Sequence, residues 1–160
     1  MKNVKLSGRL LFRMKRLQIL LIIFILTLSN IGFASEIKWL SLKEGMERAK
    51  TEKKPIIVDF FYGKGCPRCE VLEKSVYGNP AIAKKVMDDF IPVKVDLTKK
   101  LTKEEEELGN KYDFKNDCLL LFLDHNGDVI KDPSGKRFCF AETIDTEQFV
   151  KYLDMIKSLP

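Results

Sequence analysis

The run "PIIVDFFY" (Pro55 to Tyr62) constrains the architecture of this chain more than any other stretch. It is apolar and β-prone throughout, with Asp59 as its one charged residue. A strand with apolar side chains on both faces must be covered on both, which predicts a central position in a sheet with helices above and below. A short glycine-containing turn follows, then Cys66-Pro67-Arg68-Cys69, then a run that reads as a helix from about Pro67 to Val76, with Val71, Leu72 and Val76 facing inward. Two cysteines three apart at a strand-to-helix junction can be a redox pair, half of a metal site or a structural clip.

The flanking segments supply the remaining layers. Ser41 and Glu44 form a capping box ahead of a helix with Leu42, Met46 and Ala49 on one stripe, and Trp39 is placed to dock that helix on the body. Asn79 and Pro80 read as the N-cap and first position of another helix, with Ile82, Val86 and Phe90 on one side. "FIPVKVDL" is a second strand, and Pro92 places its start outside a central ladder. Thr102 and Glu105 cap a helix with Leu101, Leu108 and Tyr112 in line; its four glutamates read as a solvated face near a helix N-terminus. "CLLLFLDHNGDVIK" reads as strand, turn, strand about Asn126-Gly127, with His125, the sole histidine, as a turn residue. A turn at "DPSG" leads to "KRFCF", and a helix capped by Asp145 and Gln148 closes the chain. A βαβ half followed by a ββα half predicts an α/β domain with a mixed sheet and helices on both faces.

The first 35 residues read as an export signal. Lys2, Lys5, Arg9, Arg13, Lys15 and Arg16 form a basic region without an acid, Leu17 to Leu28 is apolar except Gln18 and Thr27, and Gly32 to Ala34 offers small residues before a cleavage point. Met14 would start a more typical signal. The apolar core is shorter than the roughly 20 residues a span wants, so cleavage is expected, with retention as an inner-membrane anchor the alternative. Six of the 28 Lys and Arg residues and none of the 23 Asp and Glu lie in this leader, leaving 22 against 23 and a charge near −1. A nucleic-acid partner therefore loses its electrostatic support. Residues 36–160 are enough for one domain with an adequate core. The expected location is the periplasm, where four cysteines read first as redox or disulfide chemistry.

At a helix N-terminus, unpaired N–H groups and the positive dipole end favour a thiolate, so Cys66 is the candidate nucleophile and Cys69, one turn on, the candidate resolving thiol. Pro67 suits the first turn, and Arg68 adds a permanent positive charge beside the sulfurs. Asp59 is either a buried acid near the pair, able to take the Cys69 proton, or a structural acid with a local hydrogen bond.

"IIVDFFYGKGCPRC", the helix after it, "IPVKVDL", "LLLFLDHNGDVI" and the closing helix together resemble the thioredoxin superfamily. Within it they are similar to exported thioredoxin-like domains such as the C-terminal domain of the periplasmic disulfide-interchange reductase. The resemblance spans Trp39 to Ile156. It implies a thioredoxin fold and thiol–disulfide exchange, with Cys66 attacking, Cys69 resolving and Asp59 matching the family's buried acid, one extra residue standing before Cys66. Two departures stand out. Gly65 replaces the family's usual Trp before the first cysteine, which opens the surface beside Cys66. Cys118 stands where the family has a cis-proline, and because a cis non-proline bond costs about 3–4 kcal/mol its preceding peptide is expected to be trans.

Cys118 and Cys139 admit three readings. They form a second disulfide or relay for the first pair; Cys118, with or without Cys139, joins Cys66 and Cys69 around a soft metal, Cu(I) or Zn(II); or both are buried small hydrophobes. The expectation carried forward is an exported thiol–disulfide oxidoreductase without organic cofactor. Its expected partners are protein thiols and disulfides and a membrane redox partner, and it is expected to be a monomer, since no dimerisation element is visible. A metal-binding module and a redox-inactive interaction domain are the alternatives.

Overall fold

The computed structural model describes residues 36–112, 120–138 and 145–159. Their elements run α1 (Leu42–Glu52), β1 (Ile56–Phe61), α2 (Pro67–Val71), a π-helical turn (Leu72–Tyr77), α3 (Pro80–Asp89), β2 (Ile91–Asp96), α4 (Lys103–Lys111), β3 (Leu120–Leu123) and α5 (Thr146–Ser158).

The apolar run becomes β1 and takes the centre of a mixed sheet in the order β2-β1-β3. β2 pairs parallel to it, Ile56 opposite Ile91 through Phe61 opposite Asp96, and β3 pairs antiparallel, Ile56 opposite Leu123. Alternation then divides the core. Ile57, Leu120 and Phe122 enter one layer with Cys69, Leu72 and Val76, together with Ile82 and Val86 of α3 and Phe149, Leu153 and Ile156 of α5. Ile56, Val58, Phe60, Val93 and Leu121 enter the other, closed by Leu42 and Ala49 of α1 and by Leu108 beside them. The helices sit on both faces, as the sequence predicts.

Pro92 is accommodated because its missing N–H points away from β1. Its carbonyl accepts from the Leu40 N–H at 3.0 Å, and the Lys94 N–H donates to the Leu40 carbonyl at 3.1 Å, so the single bridge on that edge needs no donor from Pro92. The predicted caps form: Ser41–Glu44 and Thr102–Glu105 are reciprocal capping boxes, Asn79 and Asp145 accept from the first turns of their helices, and Pro80 opens α3.

Three expectations need correction. The helix after the cysteines does not run as α to Val76. From Leu72 it widens to a π turn, with the Gly78 N–H reaching the Glu73 carbonyl five residues back at 3.0 Å. Val71 faces solvent at 38% exposure, because it lies about 200° round the helix from the buried Cys69, and Tyr77 turns inward instead. Among the described residues the last hairpin arm is not a full strand: Val129 and Arg137 make isolated bridges, to Leu123 and Lys131. Asp124 accepts from the Asn126 and Asp128 N–H groups, and Asp132 from those of Ser134 and Lys136. These two side-chain-locked turns leave too few residues between them to extend a ladder.

Candidate functional site

Cys66 and Cys69 are joined in a disulfide with their Cα atoms 5.3 Å apart. The local sequence makes that contact. Cys66 is extended (φ −87°, ψ 105°) and serves as N-cap, Pro67 occupies the first helical position, and the Cys69 N–H donates to the Cys66 sulfur at 3.2 Å. The two sulfurs differ in access: Cys66 is half-exposed, whereas Cys69 is 4% exposed and packs with Leu72 and Val76. Arg68, between them, is half-buried.

Gly65, before Cys66, has φ +90°, a conformation that glycine takes at little cost and L side chains rarely adopt. Among the described residues nothing lies within 4 Å of where its Cβ would point. The surface beside Cys66 is therefore open for a backbone reason as well as for want of a large side chain.

Asp59 is buried at 4% exposure and leaves β1 on the side of Ile57, which is the layer holding Cys69. Its neighbours were not identified in the sequence. Lys94, directly across the parallel ladder, lies 3.5 Å from its carboxylate and is also ion-paired with Glu73 of the π turn. The Lys94 ammonium stands 4.6 Å from the centre of the Trp39 ring and 5.3 Å from that of Phe61. Trp39 meets Tyr77 edge-to-face at 4.9 Å. Burial drives the Asp59 pKa up to about 7 against the opposing pull of Lys94, and the Glu73 charge pushes the same way as burial. The short Lys94 distance alone would suggest a depressed acid. Burial wins because Lys94 is divided between two carboxylates and is itself partly exposed. The same burial, with Asp59 and Glu73 nearby, raises the Tyr77 hydroxyl well above its ordinary value.

A signal for Lys94 did exist. "IIVDFF" and "IPVKVD" are each apolar runs interrupted by one charge of opposite sign, and laying them parallel puts those charges side by side. Glu73 and Tyr77 had no comparable signal, because their positions depend on the π turn.

Cys118 and Cys139, and the peptide before Cys118, lie outside the described residues. Among the described residues no group of three or more Cys, His, Asp or Glu is placed to hold a metal ion. His125 sits in the turn after β3. The metal-site reading is thus not favoured, since Cys66 and Cys69 spend their sulfurs on each other.

The sequence profile of a thioredoxin-like family matches residues 38–123. No curated protein matches the chain. Among solved structures, the DsbH oxidoreductase is similar at 20% identity, over 82% of this chain and 94% of that one, with a TM-score of 0.64. A Bacteroides thetaiotaomicron protein assigned as a disulphide-isomerase is similar at 27% identity, over 79% and 98%, with a TM-score of 0.58. The C-terminal domain of Neisseria meningitidis DsbD in its oxidised form is similar at 18% identity, over 74% and 98%, with a TM-score of 0.52. The shared architecture is the thioredoxin fold.

Proposed function

The chain belongs to the thioredoxin-like family, and on that premise we propose that it is an exported thiol–disulfide oxidoreductase acting on protein thiols and disulfides. The observation that carries this reading is the Cys66–Cys69 disulfide at a strand-to-helix junction, with one sulfur half-exposed and the other buried in the layer that Asp59 faces. The 27% identity to the assigned disulphide-isomerase supports it.

In the oxidised protein a partner thiolate attacks the accessible Cys66 sulfur. The Cys66–Cys69 bond breaks, and its electron pair departs on Cys69 as a thiolate. A second partner thiolate then attacks the partner sulfur of the mixed disulfide and releases Cys66. The partner has lost two electrons and two protons to a disulfide, and the protein holds two reduced cysteines. The reverse sequence reduces a partner disulfide. Asp59 is the group we assign to give a proton to, or take one from, Cys69. An acid with its pKa near 7 exchanges protons efficiently near neutral pH. Arg68 and the helix N-terminus stabilise the Cys66 thiolate. Pro67 fixes the turn, and Gly65 keeps the approach to Cys66 open.

Residues 1–35 serve in this reading as the export signal and residues 36–160 as the working domain. Among the described residues no helix is long and apolar enough to cross a membrane.

A Cys66→Ser variant should lose disulfide transfer to a dithiol model peptide, followed by fluorescence. A variant as fast as the parent would overturn the mechanism. N-terminal sequencing of the secreted protein should begin near residue 35. A mature chain retaining Met1 or Met14 would overturn cleavage and favour the retained anchor.

A further inference from the structure

A slot of about 290 Å³ opens against Cys69 on the side of β1 and the π turn. Phe61, Gly63, Cys69 and Glu73 are its buried or half-buried lining, and Lys64, Glu70 and Lys74 stand exposed around it. It gives the buried cysteine a neighbouring space that does not pass over Cys66. We propose that this slot is a side-chain subsite for the protein partner. It accepts an apolar side chain one or two residues from the partner's reacting cysteine, and Lys64 favours partners with an acid beside that residue. The proposal rests on the thiol-exchange reading above and specifies the partner that the exchange selects.

Four observations carry it. The slot lies at the lower edge of the roughly 300–1,000 Å³ that whole small-molecule ligands occupy, so it suits one side chain and not a cofactor. Its lining includes one sulfur of the reacting pair, whose Cα is 5.3 Å from that of the other. A partner sulfur bonded to Cys66 therefore brings its own neighbours, spaced about 3.3 Å per residue in an extended chain, over this opening. The slot itself offers apolar contact through the Phe61 ring, the Gly63 backbone and the Cys69 side chain. Finally, the charges at the rim are unequally committed. Lys74 pairs with Glu70 at 3.2 Å and Glu73 pairs with Lys94, whereas Lys64 has no ion pair among the described residues. The rim is left with one available positive charge.

The test uses the reduced full-length protein and synthetic peptides with a single cysteine capped by a coloured aryl thiol. Cys66 attacks the peptide sulfur, the aryl thiolate leaves and is counted, and Cys69 then releases the peptide thiol as the Cys66–Cys69 bond re-forms. A peptide with Leu or Phe next to its cysteine should react at least tenfold faster, by the second-order rate constant for a single turnover, than one with Gly there. In Glu70→Trp and Lys74→Trp, each of which fills the slot from an exposed position on its helical rim, that ratio should fall below twofold. Lys64→Glu should invert the parent's preference for an acid-flanked over a lysine-flanked apolar peptide. A parent ratio below twofold would overturn the subsite, as would a tenfold ratio surviving in both tryptophan variants. Glutathione disulfide, which presents no apolar neighbour, separates the two readings. If it oxidises the parent while no peptide preference appears, the subsite alone falls. If neither it nor any peptide reacts, the exchange reading falls and takes the subsite with it.

Discussion

Ile56, Val58 and Phe60 leave β1 on one side, and Ile57, Asp59 and Phe61 leave it on the other. The first three enter a layer whose buried members are all apolar, beneath α1 and α4. The second three enter the layer that holds the disulfide, where Asp59 sits with Lys94 close by and Glu73 and Tyr77 behind it. One strand, buried on both sides from Ile56 to Phe60, thus runs between a face that only stabilises and a face that gives up some stability to keep an ionisable group near a reactive bond. Burial alone does not separate the two: Val58 is 0% exposed and Asp59 4%. What separates them is the presence of a counter-charge across the ladder.

Placing an acid on the wrong face breaks the comparison most severely. Val58→Asp would bury a carboxylate where the layer's buried members, among the described residues, offer neither a cation nor a side-chain donor, at a cost of roughly 5 kcal/mol or more, enough to unfold a typical domain. Urea denaturation checks this, and a variant within about 1.5 kcal/mol of the parent would show that the two faces are not chemically distinct. Asp59→Asn makes the opposite change. The folded carboxyl, raised to about 7, keeps its proton over a range in which the unfolded chain has lost it. The parent is therefore progressively destabilised as pH rises from about 4 to 7, and the deficit is complete above that. Asparagine removes the deficit, so the variant should gain on the parent by as much as about 4 kcal/mol between pH 4 and pH 8. A gap that stays constant across that range would mean that Asp59 titrates as an ordinary surface acid.

Much of this contrast was legible in the chain before any coordinates. The uninterrupted run around Val58 requires cover on both sides, and the capping residues Ser41, Asn79, Thr102 and Asp145 fix where four helices begin, because local hydrogen bonding decides those positions. Cys66 and Cys69 could be placed together because their separation is one helical turn. Tyr77 and Glu73 could not be placed, since the π turn that aims them is set by packing and leaves no mark on the spacing. Val71 was misassigned for a related reason: its apolarity suggested the core, whereas its angle from Cys69 puts it in solvent. The hairpin arm after β3 was overestimated because β-propensity around Val129 does not reveal that Asp124 and Asp132 capture the neighbouring backbone donors.

A smaller effect is expected at the rim of the disulfide face. Gly65→Ala and Gly65→Trp meet no neighbour at the Cβ, so both should lose stability only through the left-handed backbone, by about 1–3 kcal/mol, with little difference between them. Thermal unfolding should show a decrease of several degrees for each. Equal melting temperatures for parent and variants would mean that the backbone at residue 65 is not held at φ +90°.

The finest test concerns how Lys94 is divided. It bonds Glu73 and approaches Asp59, so each carboxylate limits what the lysine can do for the other. Glu73→Gln removes a negative charge that pushes the Asp59 pKa up and frees Lys94 to turn fully toward Asp59; both changes favour the ionised form, so the Asp59 pKa should fall. The glutamate side chain is 40% exposed, and solvent screening keeps the effect small, on the order of half a kcal/mol. A carbon-detected NMR titration of the Asp59 carboxyl in parent and variant resolves it. A midpoint that rises, or does not move, would show that burial alone sets this acid and that Glu73 pairs with Lys94 without influencing the face beneath it.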